Sequence, residues 1–582
     1  MKRRKIQGTY LQSDPRFGFV ETAGGEKFFI GYRSRNSALD GDFVEAISET
    51  DAEDGKTAEA KVVKILRRTT KTLFGTFRKK PGKTYAFVFF TVPERETVYV
   101  ADRDSMDAKD GETVCVTVSG FGSEMTGRVV ERLGMADDFN TEREVLVRKS
   151  GLLLKFDERV LAEAESFTGN DDTAKKREDL SKETVITIDG ADSKDLDDAI
   201  SVKKLGDGKY ELGVHIADVA EYVREGSELD REALRRGTSC YLSDRVVPML
   251  PERLSNSLCS LHPGGKKLTL SIFIQIGASG EILDTRIAET SIDSARKCTY
   301  DEVQSWKNRD GEHPEPHPDI LQLVDDAYEL CAIVDKRRDE EGRIDFEIPE
   351  TEIDIGPDGE PTGVSMRERK ASHKLIETFM VLANEEVSRA FHKMGLPFVY
   401  RIHEPPSEAN RGDLRILFKK YGIDLAPGEF SPKELRDAYR ALRAKPDVPP
   451  IEKSLLSRLS KACYSEKPLG HFGLALKFYS HFTSPIRRYP DLQIHRIIKE
   501  RIRGEFDKKR AEHYAEILPI RTKQNSDAER RAESLEREVE SLEAARFMEK
   551  EVGKEFDAVV VGNSRLAYYV RIPNGIEGAV FL

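Results

Sequence analysis

The chain has 582 residues, enough at about 100 to 200 residues per domain for roughly three to five domains and a sizeable core. Hydrophobic residues make up 38% and charged residues 34%, and no apolar run approaches the ~18 residues that cross a bilayer, so a membrane span is excluded. The formal net charge of -11 excludes a uniformly basic nucleic-acid surface. The charge is nevertheless uneven. Arg78, Lys79, Lys80 and Lys83 form one basic cluster, and Arg487, Arg488, Arg496, Lys499, Arg501 and Arg503 another, which leaves room for positive channels on an acidic body. Such clusters are more often solvated faces, so they support a polyanion partner without establishing one. Six dispersed cysteines form no C-x-x-C pair, and the basic start MKRRKIQGTY has no apolar stretch behind it. The expectation is a protein of the reducing cytosol, without secretory signal or structural zinc.

Residues 1–66 read as short β-runs between turns, GTYLQSDPRFGFVET, EKFFIGY and GDFVEAI, which predicts a small barrel. A second barrel over 67–135 is expected because Gly8-Thr9-Tyr10 recurs as Gly75-Thr76-Phe77 and Gly41-Asp42-Phe43-Val44 as Gly111-Glu112-Thr113-Val114. In the first copy Phe17 and Phe19 flank a glycine, and Phe28 and Phe29 follow beside Arg16 and Lys27. Rings grouped on one face stack unpaired bases. Alternating aromatics in a strand are more commonly core, but here the segment resembles a cold-shock domain, and Phe17, Phe19 and Phe28 are expected to bind RNA. The second copy, with Tyr85, Phe87, Phe89 and Phe90, matches less well.

Residues 136–179 are expected as a linker. From 180 to 550, strand-like runs such as YELGVHIADV alternate with helical ones such as ASHKLIETFMVLANEEVSRAF, predicting one large mixed α/β domain. Near its start, TIDGADSKDLDDAI places Asp189, Asp195, Asp197 and Asp198 within ten residues, directly after the apolar Val185, Ile186 and Ile188. Carboxylates this close raise one another's pKa unless a cation neutralises them, and a hard divalent ion bound by oxygen is the natural neutraliser. An acidic run is usually a solvated loop. Delivery by a strand argues otherwise, and in an extended segment Asp195 and Asp197 would share a face. A calcium-binding EF-hand loop fails, because counting from Asp189 position six is Lys194 and position twelve Ile200.

Further on, GHFGLALKFYSHFTSPIRRYPD sets Arg487 and Arg488 after a Ser-Pro turn. Guanidinium groups bind phosphate oxygens in pairs of hydrogen bonds and stay charged, so this turn suits a scissile phosphate. Alone, an Arg-Arg pair is more often a structural salt bridge; beside an acidic metal site its value rises. His215, His262, His471 and His481 have no ligand spacing, and Cys240 and Cys259 no nucleophile signature, so neither set is assigned chemistry. Residues 551–582 resemble the opening strands of an OB-type barrel but accommodate only about three strands, against the five such a barrel needs, so a truncated barrel is expected.

TIDGADSKDLDDAI, VHIADVAEYV, TSCYLSDRVVPMLPERLSNSLCSL, ASHKLIETFMVLAN and HFTSPIRRYPDL together resemble motifs of the ribonuclease II and ribonuclease R exoribonuclease family. The resemblance covers nearly the whole chain, in the family's order, and the VVPMLPERLSN and RRYPD segments look more like the ribonuclease R branch. It implies a processive 3′-to-5′ exoribonuclease releasing nucleoside 5′-monophosphates from single-stranded RNA with a free 3′ end. It also implies Asp189, Asp195, Asp197 and Asp198 as metal and catalytic carboxylates, Arg487 on the reacting phosphate, and Tyr241 and Tyr400 as base-stacking rings. Arg488 is grouped with the RNA contacts. The cofactor expected is Mg2+, with Mn2+ as the alternative, in a two-metal hydrolysis without a protein nucleophile. A cytoplasmic monomer with no membrane partner is expected. Two rival readings stay open at this stage: a non-catalytic cold-shock-type RNA-binding protein, and an endonuclease or phosphodiesterase using the same metals.

Overall fold

The computed structural model describes residues 4–14, 16–48, 57–68, 72–83, 85–89, 97–121, 125–168, 175–346, 350–446, 448, 450–564 and 566–582. The chain divides into two compact units, Met1–Lys149 and Ser150–Leu582.

The first unit holds both expected barrels. Strands β1 (Lys5–Asp14), β2 (Phe17–Thr22), β3 (Lys27–Gly31), β4 (Phe43–Ser48) and β5 (Ala60–Arg67) form a sheet in the order β3-β2-β1-β4-β5. A bridge between Phe29 and Glu59 brings its edges together. Side chains alternate between core and surface, as the period of two requires. Val20, Phe28 and Ile30 point inward, while Phe17, Phe19 and Phe29 gather outside with ring centroids 5.4 to 5.9 Å apart. Gly18 between the two phenylalanines is a packing necessity, because a Cβ there would come within 2.8 Å of the Tyr10 ring. The expectation for Phe28 is thereby corrected: it is a core residue at 6% exposure, and Phe29, one position on, occupies the outer face.

Strands β6 (Thr72–Lys79), β7 (Tyr85–Phe89), β8 (Thr97–Ala101), β9 (Glu112–Phe121) and β10 (Met125–Met135) close the second barrel, in the order β10-β8-β7-β6-β9. Phe90 and the side chains of Phe87 and Phe89 lie outside the described residues.

The expected linker is not one. It folds into helices Phe139–Lys149 and Glu158–Glu165, and the second buries Val160 and Ala164 in a core of the second unit. The local signal is a capping Asp157 whose side chain accepts the Arg159 N–H, followed by apolar residues four apart.

The second unit is built on a mixed seven-stranded sheet, ordered β11-β18-β17-β14-β13-β12-β19. Its strands are β11 (Glu178–Asp179), β12 (Ile186–Asp189), β13 (Asp198–Gly206), β14 (Lys209–Ala217), β17 (Lys267–Ile276), β18 (Ile282–Ile292) and β19 (Arg296–Thr299), while β15 (Cys240–Tyr241) and β16 (Val246–Val247) form a separate hairpin. One face packs Ile200, Val214 and Ile272 against Leu323 and Leu330 of helix Pro318–Glu341 and Leu375, Phe379 and Leu382 of helix Ala371–Lys393. The other packs Ala199 and Phe273 in a core with Leu254, Ile486, Tyr489 and Leu492. Burial on both faces accounts for the continuously buried stretches 199–202 of β13 and 212–217 of β14.

The 42-residue helix Lys508–Glu549 buries Leu535 and Val539. Beyond it, Val559–Asn563, Ala567–Arg571 and Glu577–Phe581 form a three-stranded antiparallel sheet. Among the described residues no helix is long and apolar enough to cross a membrane.

Candidate active site

β12 ends on Asp189, and β13 begins on Asp198. β12 lies between β13, antiparallel with Ile186 opposite Ile200, and β19, parallel with Asp189 opposite Thr299. The connection between the two aspartates leaves the sheet, and its residues 190–197 belong to no strand. The expected extended segment with Asp195 and Asp197 on one face is therefore replaced by a loop that gives each a different partner. Between them Leu196 is fully buried.

Two distant segments meet this loop. Asp197, 4% exposed, accepts the Ile486 N–H at 2.9 Å through Oδ1 and faces Arg487 Nε at 3.5 Å through Oδ2. Asp195 Oδ2 accepts the Tyr241 hydroxyl at 2.8 Å. The arginine turn and the tyrosine hairpin are also tied to each other, because Ser239 N–H donates to Arg487 O at 2.9 Å and Thr238 Oγ1 donates to the same carbonyl at 3.0 Å. Residues nearly 300 positions apart thus form one site. Arg487 retains a 42% exposed side chain, steadied by a 3.0 Å bond from Nη2 to Ser484 Oγ.

The electrostatics are those of a site short of positive charge. Burial pushes the Asp189 carboxyl far above the usual range, and Asp198 beside it adds to the shift, while Lys297 draws it part of the way back. Burial likewise raises Asp197 well above the ordinary value and raises Asp198, with Arg487 opposing both. Asp189 Oδ2 is buried with no hydrogen-bond partner. Buried carboxylates are normally paired or bind metal, so an oxygen left over here fits a cation. No three of the four aspartates bring one oxygen each within 4.8 Å of one another; among the described residues that spacing occurs at Asp218, Glu221 and Glu289. The wider spacing suits an ion that keeps waters and takes one or two carboxylates plus substrate phosphate.

The other expected RNA contacts divide. Tyr241 is 40% exposed and fastened at both ends, its hydroxyl on Asp195 and its N–H on Glu536 Oε1 at 2.7 Å. A cavity of about 560 Å³ opens beside it, lined also by Lys194, Asp195, Arg245, Asn256 and Ile486. Tyr400 is instead 4% exposed, packed in the central core with the Phe398 ring 5.9 Å away, and offers no open face to a base. Arg488 is directed to Asp491, at 2.7 Å, whose Oδ1 also accepts the Ser484 N–H. It therefore shapes the turn that presents Arg487.

The histidines have other partners. His215 lies between Ser201 and Ser271, at 3.0 and 2.8 Å, inside the sheet, where burial pushes it down to about 3. His481 Nδ1 lies 2.9 Å from the Tyr464 hydroxyl, and His262 Nε2 3.0 Å from Lys194 O.

What sequence reasoning missed is mostly backbone or remote. The Ile486 N–H lies within the arginine-turn motif but is a backbone group, and Glu536 and Lys297 carry no motif signal, since only folding brings Glu536 to the Tyr241 N–H and Lys297 near Asp189.

Comparison with known proteins gives the same chain-wide assignment. The RNB domain family matches residues 177–504 and a cold shock domain family matches 94–157. The latter covers the later part of the second barrel, the copy whose sequence resemblance was weaker. Ribonuclease R 1 of Lactococcus lactis is 35% identical over 99% of this chain and 73% of its own length. The solved structure of Mycoplasma genitalium RNase R in complex with ribose-methylated single-stranded RNA superposes with a TM-score of 0.92 at 26% identity, over 99% of this chain and 92% of that one. Yeast Ssd1, described as a pseudonuclease, shares the fold with a TM-score of 0.70 at 19% identity, over 99% of this chain and 79% of that one.

Proposed function

The chain belongs to the ribonuclease R family, as a hydrolytic 3′-to-5′ exoribonuclease, and from that premise we propose that Asp189, Asp195, Asp197 and Asp198 form its metal-binding catalytic centre. Family members are generally dependent on divalent metal. The all-oxygen donor set favours Mg2+, with Mn2+ as the alternative. When bound, such ions activate a water and stabilise the leaving oxygen in an in-line displacement.

The chain's own residues do the rest. Arg487, exposed and aimed from the Ser484 turn, contacts the reacting phosphate and offsets the charge that builds on it. Tyr241 stacks on a terminal base, a contact indifferent to base identity and worth roughly 1 to 3 kcal/mol per base. Water adds to phosphorus, the bond from phosphorus to the preceding nucleotide's O3′ breaks, and that oxygen leaves with a proton. The product is a nucleoside 5′-monophosphate, and the shortened strand advances for the next cycle, which makes degradation processive. The barrels, with Phe17, Phe19 and Phe29 outward on the first, bind the single-stranded RNA substrate, which has a free 3′ end. Six free cysteines support a reducing, cytoplasmic setting.

The observation carrying this reading is the desolvation of Asp189, Asp197 and Asp198, with an unpartnered buried oxygen on Asp189, beside the exposed guanidinium of Arg487. A purely RNA-binding role would give that set no purpose. The test is a time course on 5′-labelled single-stranded RNA with Mg2+, comparing the chain with Asp197→Asn on a sequencing gel. A small labelled end product with few intermediates is expected from the parent. The variant should lose about 10²- to 10³-fold in rate while still shifting RNA on a native gel. Turnover retained in Asp197→Asn would sink the assignment.

A further inference from the structure

The loop between β12 and β13 is gripped from outside at successive positions. On one side the Lys297 ammonium, on β19, donates to Ala191 O at 2.8 Å and to Ser193 O at 2.7 Å. On the other, fully buried Ser260 donates its hydroxyl to Lys194 O at 2.7 Å and accepts the Leu196 N–H at 2.9 Å. Leu261 N–H adds a bond to Leu196 O at 3.0 Å. The backbone that carries Asp195 therefore has its shape set by residues some 65 and 105 positions away. Without them, a loop outside any strand would have to be ordered by the metal itself, at a conformational-entropy cost for every residue fixed.

Lys297 has two effects of opposite sign. As a cation near Asp189 it competes with a metal ion for the same negative field. As a hydrogen-bond donor it fixes the loop. Its bonds go to two carbonyls rather than to a carboxylate, which makes holding the loop its dominant contribution.

We propose that Lys297 and Ser260 are positioning residues that preset the acidic loop, so that divalent-metal affinity depends on side chains that never touch the ion. This rests on the metal-centre reading above, and the experiment separates the two. Mn2+ binding to the full chain is measured by electron paramagnetic resonance for the parent, Lys297→Met, Lys297→Arg, Ser260→Ala and Asp197→Asn, with a thermal melt of each.

Lys297→Met and Ser260→Ala should bind Mn2+ roughly tenfold more weakly, the lower end of what outer-shell partners cost, with melting temperatures close to the parent's. Lys297→Arg, which keeps donors for both carbonyls, should recover most of the affinity. Mn2+ binding in Lys297→Met as tight as in the parent, or tighter, would overturn the proposal, because the ammonium would then be only a competitor. So would a loss that tracks a fall in melting temperature, since that is general destabilisation. If Asp197→Asn binds Mn2+ as the parent does, the metal centre itself is misassigned. If Asp197→Asn loses the ion while both clamp variants keep it, only the clamp fails.

Discussion

Two acidic clusters lie in the second unit, and they are opposites. Asp218, Glu221 and Glu289 bring three carboxylate oxygens within 4.8 Å of one another, the spacing a metal site is usually sought by. They are fully occupied by the protein's own cations. Lys499 Nζ lies 2.6 Å from Asp218 and 2.7 Å from Glu221, Arg177 reaches Asp218 at 2.7 Å, and Arg503 bridges Glu221 and Glu289. Burial alone would raise the Asp218 carboxyl, but Lys499 and Arg177 overturn that and hold it well below the usual range. At Asp189, Asp197 and Asp198 burial wins instead, and the carboxyls are pushed up. Tight spacing marks a finished salt-bridge network, whereas unbalanced charge marks a place left for something else.

The largest effect expected from breaking this contrast is on stability. Lys499→Met leaves Asp218, with a fully buried side chain, facing one cation fewer. Removing one partner of a buried pair costs about 3 to 5 kcal/mol, which denaturant unfolding would report. The Mg2+ concentration needed for half-maximal hydrolysis should stay where it was. A changed metal requirement would mean that the tight cluster is the functional one. Arg487→Ala is the mirror experiment. Its side chain is 42% exposed and its ion pair with Asp197 long, so the fold should barely register the change. Its kcat should fall about 10²- to 10³-fold, the usual cost of losing a group that stabilises developing charge. An unfolding midpoint lowered as far as in Lys499→Met would make Arg487 a structural residue.

Much of this was legible in the sequence, and the failures have identifiable causes. The Asp189–Asp198 motif and the Ser-Pro-Ile-Arg-Arg turn are local patterns, and they do converge. The side of a strand is decided by register, so Phe28 and Phe29 could not be told apart until Gly18 and Tyr10 fixed which face was inner. Tyr400 and Arg488 failed as surface groups because burial depends on what packs above them: the central core for one, Asp491 for the other. Lys297 and Ser260 are invisible for a simpler reason, since a side chain that bonds to remote backbone leaves no spacing signature. The same fold in a protein described as a pseudonuclease shows why the residues, not the architecture, must carry the functional argument.

The two clusters should also titrate with opposite signs. In the metal-free chain Asp189 holds its proton up to about 8, above its ordinary value, so the folded state binds more protons than the unfolded one in the range between. The stability tied to that group is complete below about pH 4 and is lost as pH rises through 8. For Asp218 the shift is downward, so its contribution is present above the ordinary range and is lost in acid. Buried histidines complicate the middle, because His215 and His471 are pushed down to about 3 and His495 to about 4, and each adds stability as pH climbs toward its unfolded value. Above about pH 6.5 they have finished, and the raised aspartates dominate until the buried thiols, also pushed up, begin to add a loss of the same sign near about pH 8.5. The melting temperature of metal-free protein should therefore fall by a few degrees from about pH 6.5 to about pH 8.5. Mg2+ should raise it more at the upper end, where the carboxylates no longer have to release protons to bind the ion. A metal-free profile flat over that interval would mean that Asp189 is already neutralised by the protein itself, and the contrast between the clusters would collapse.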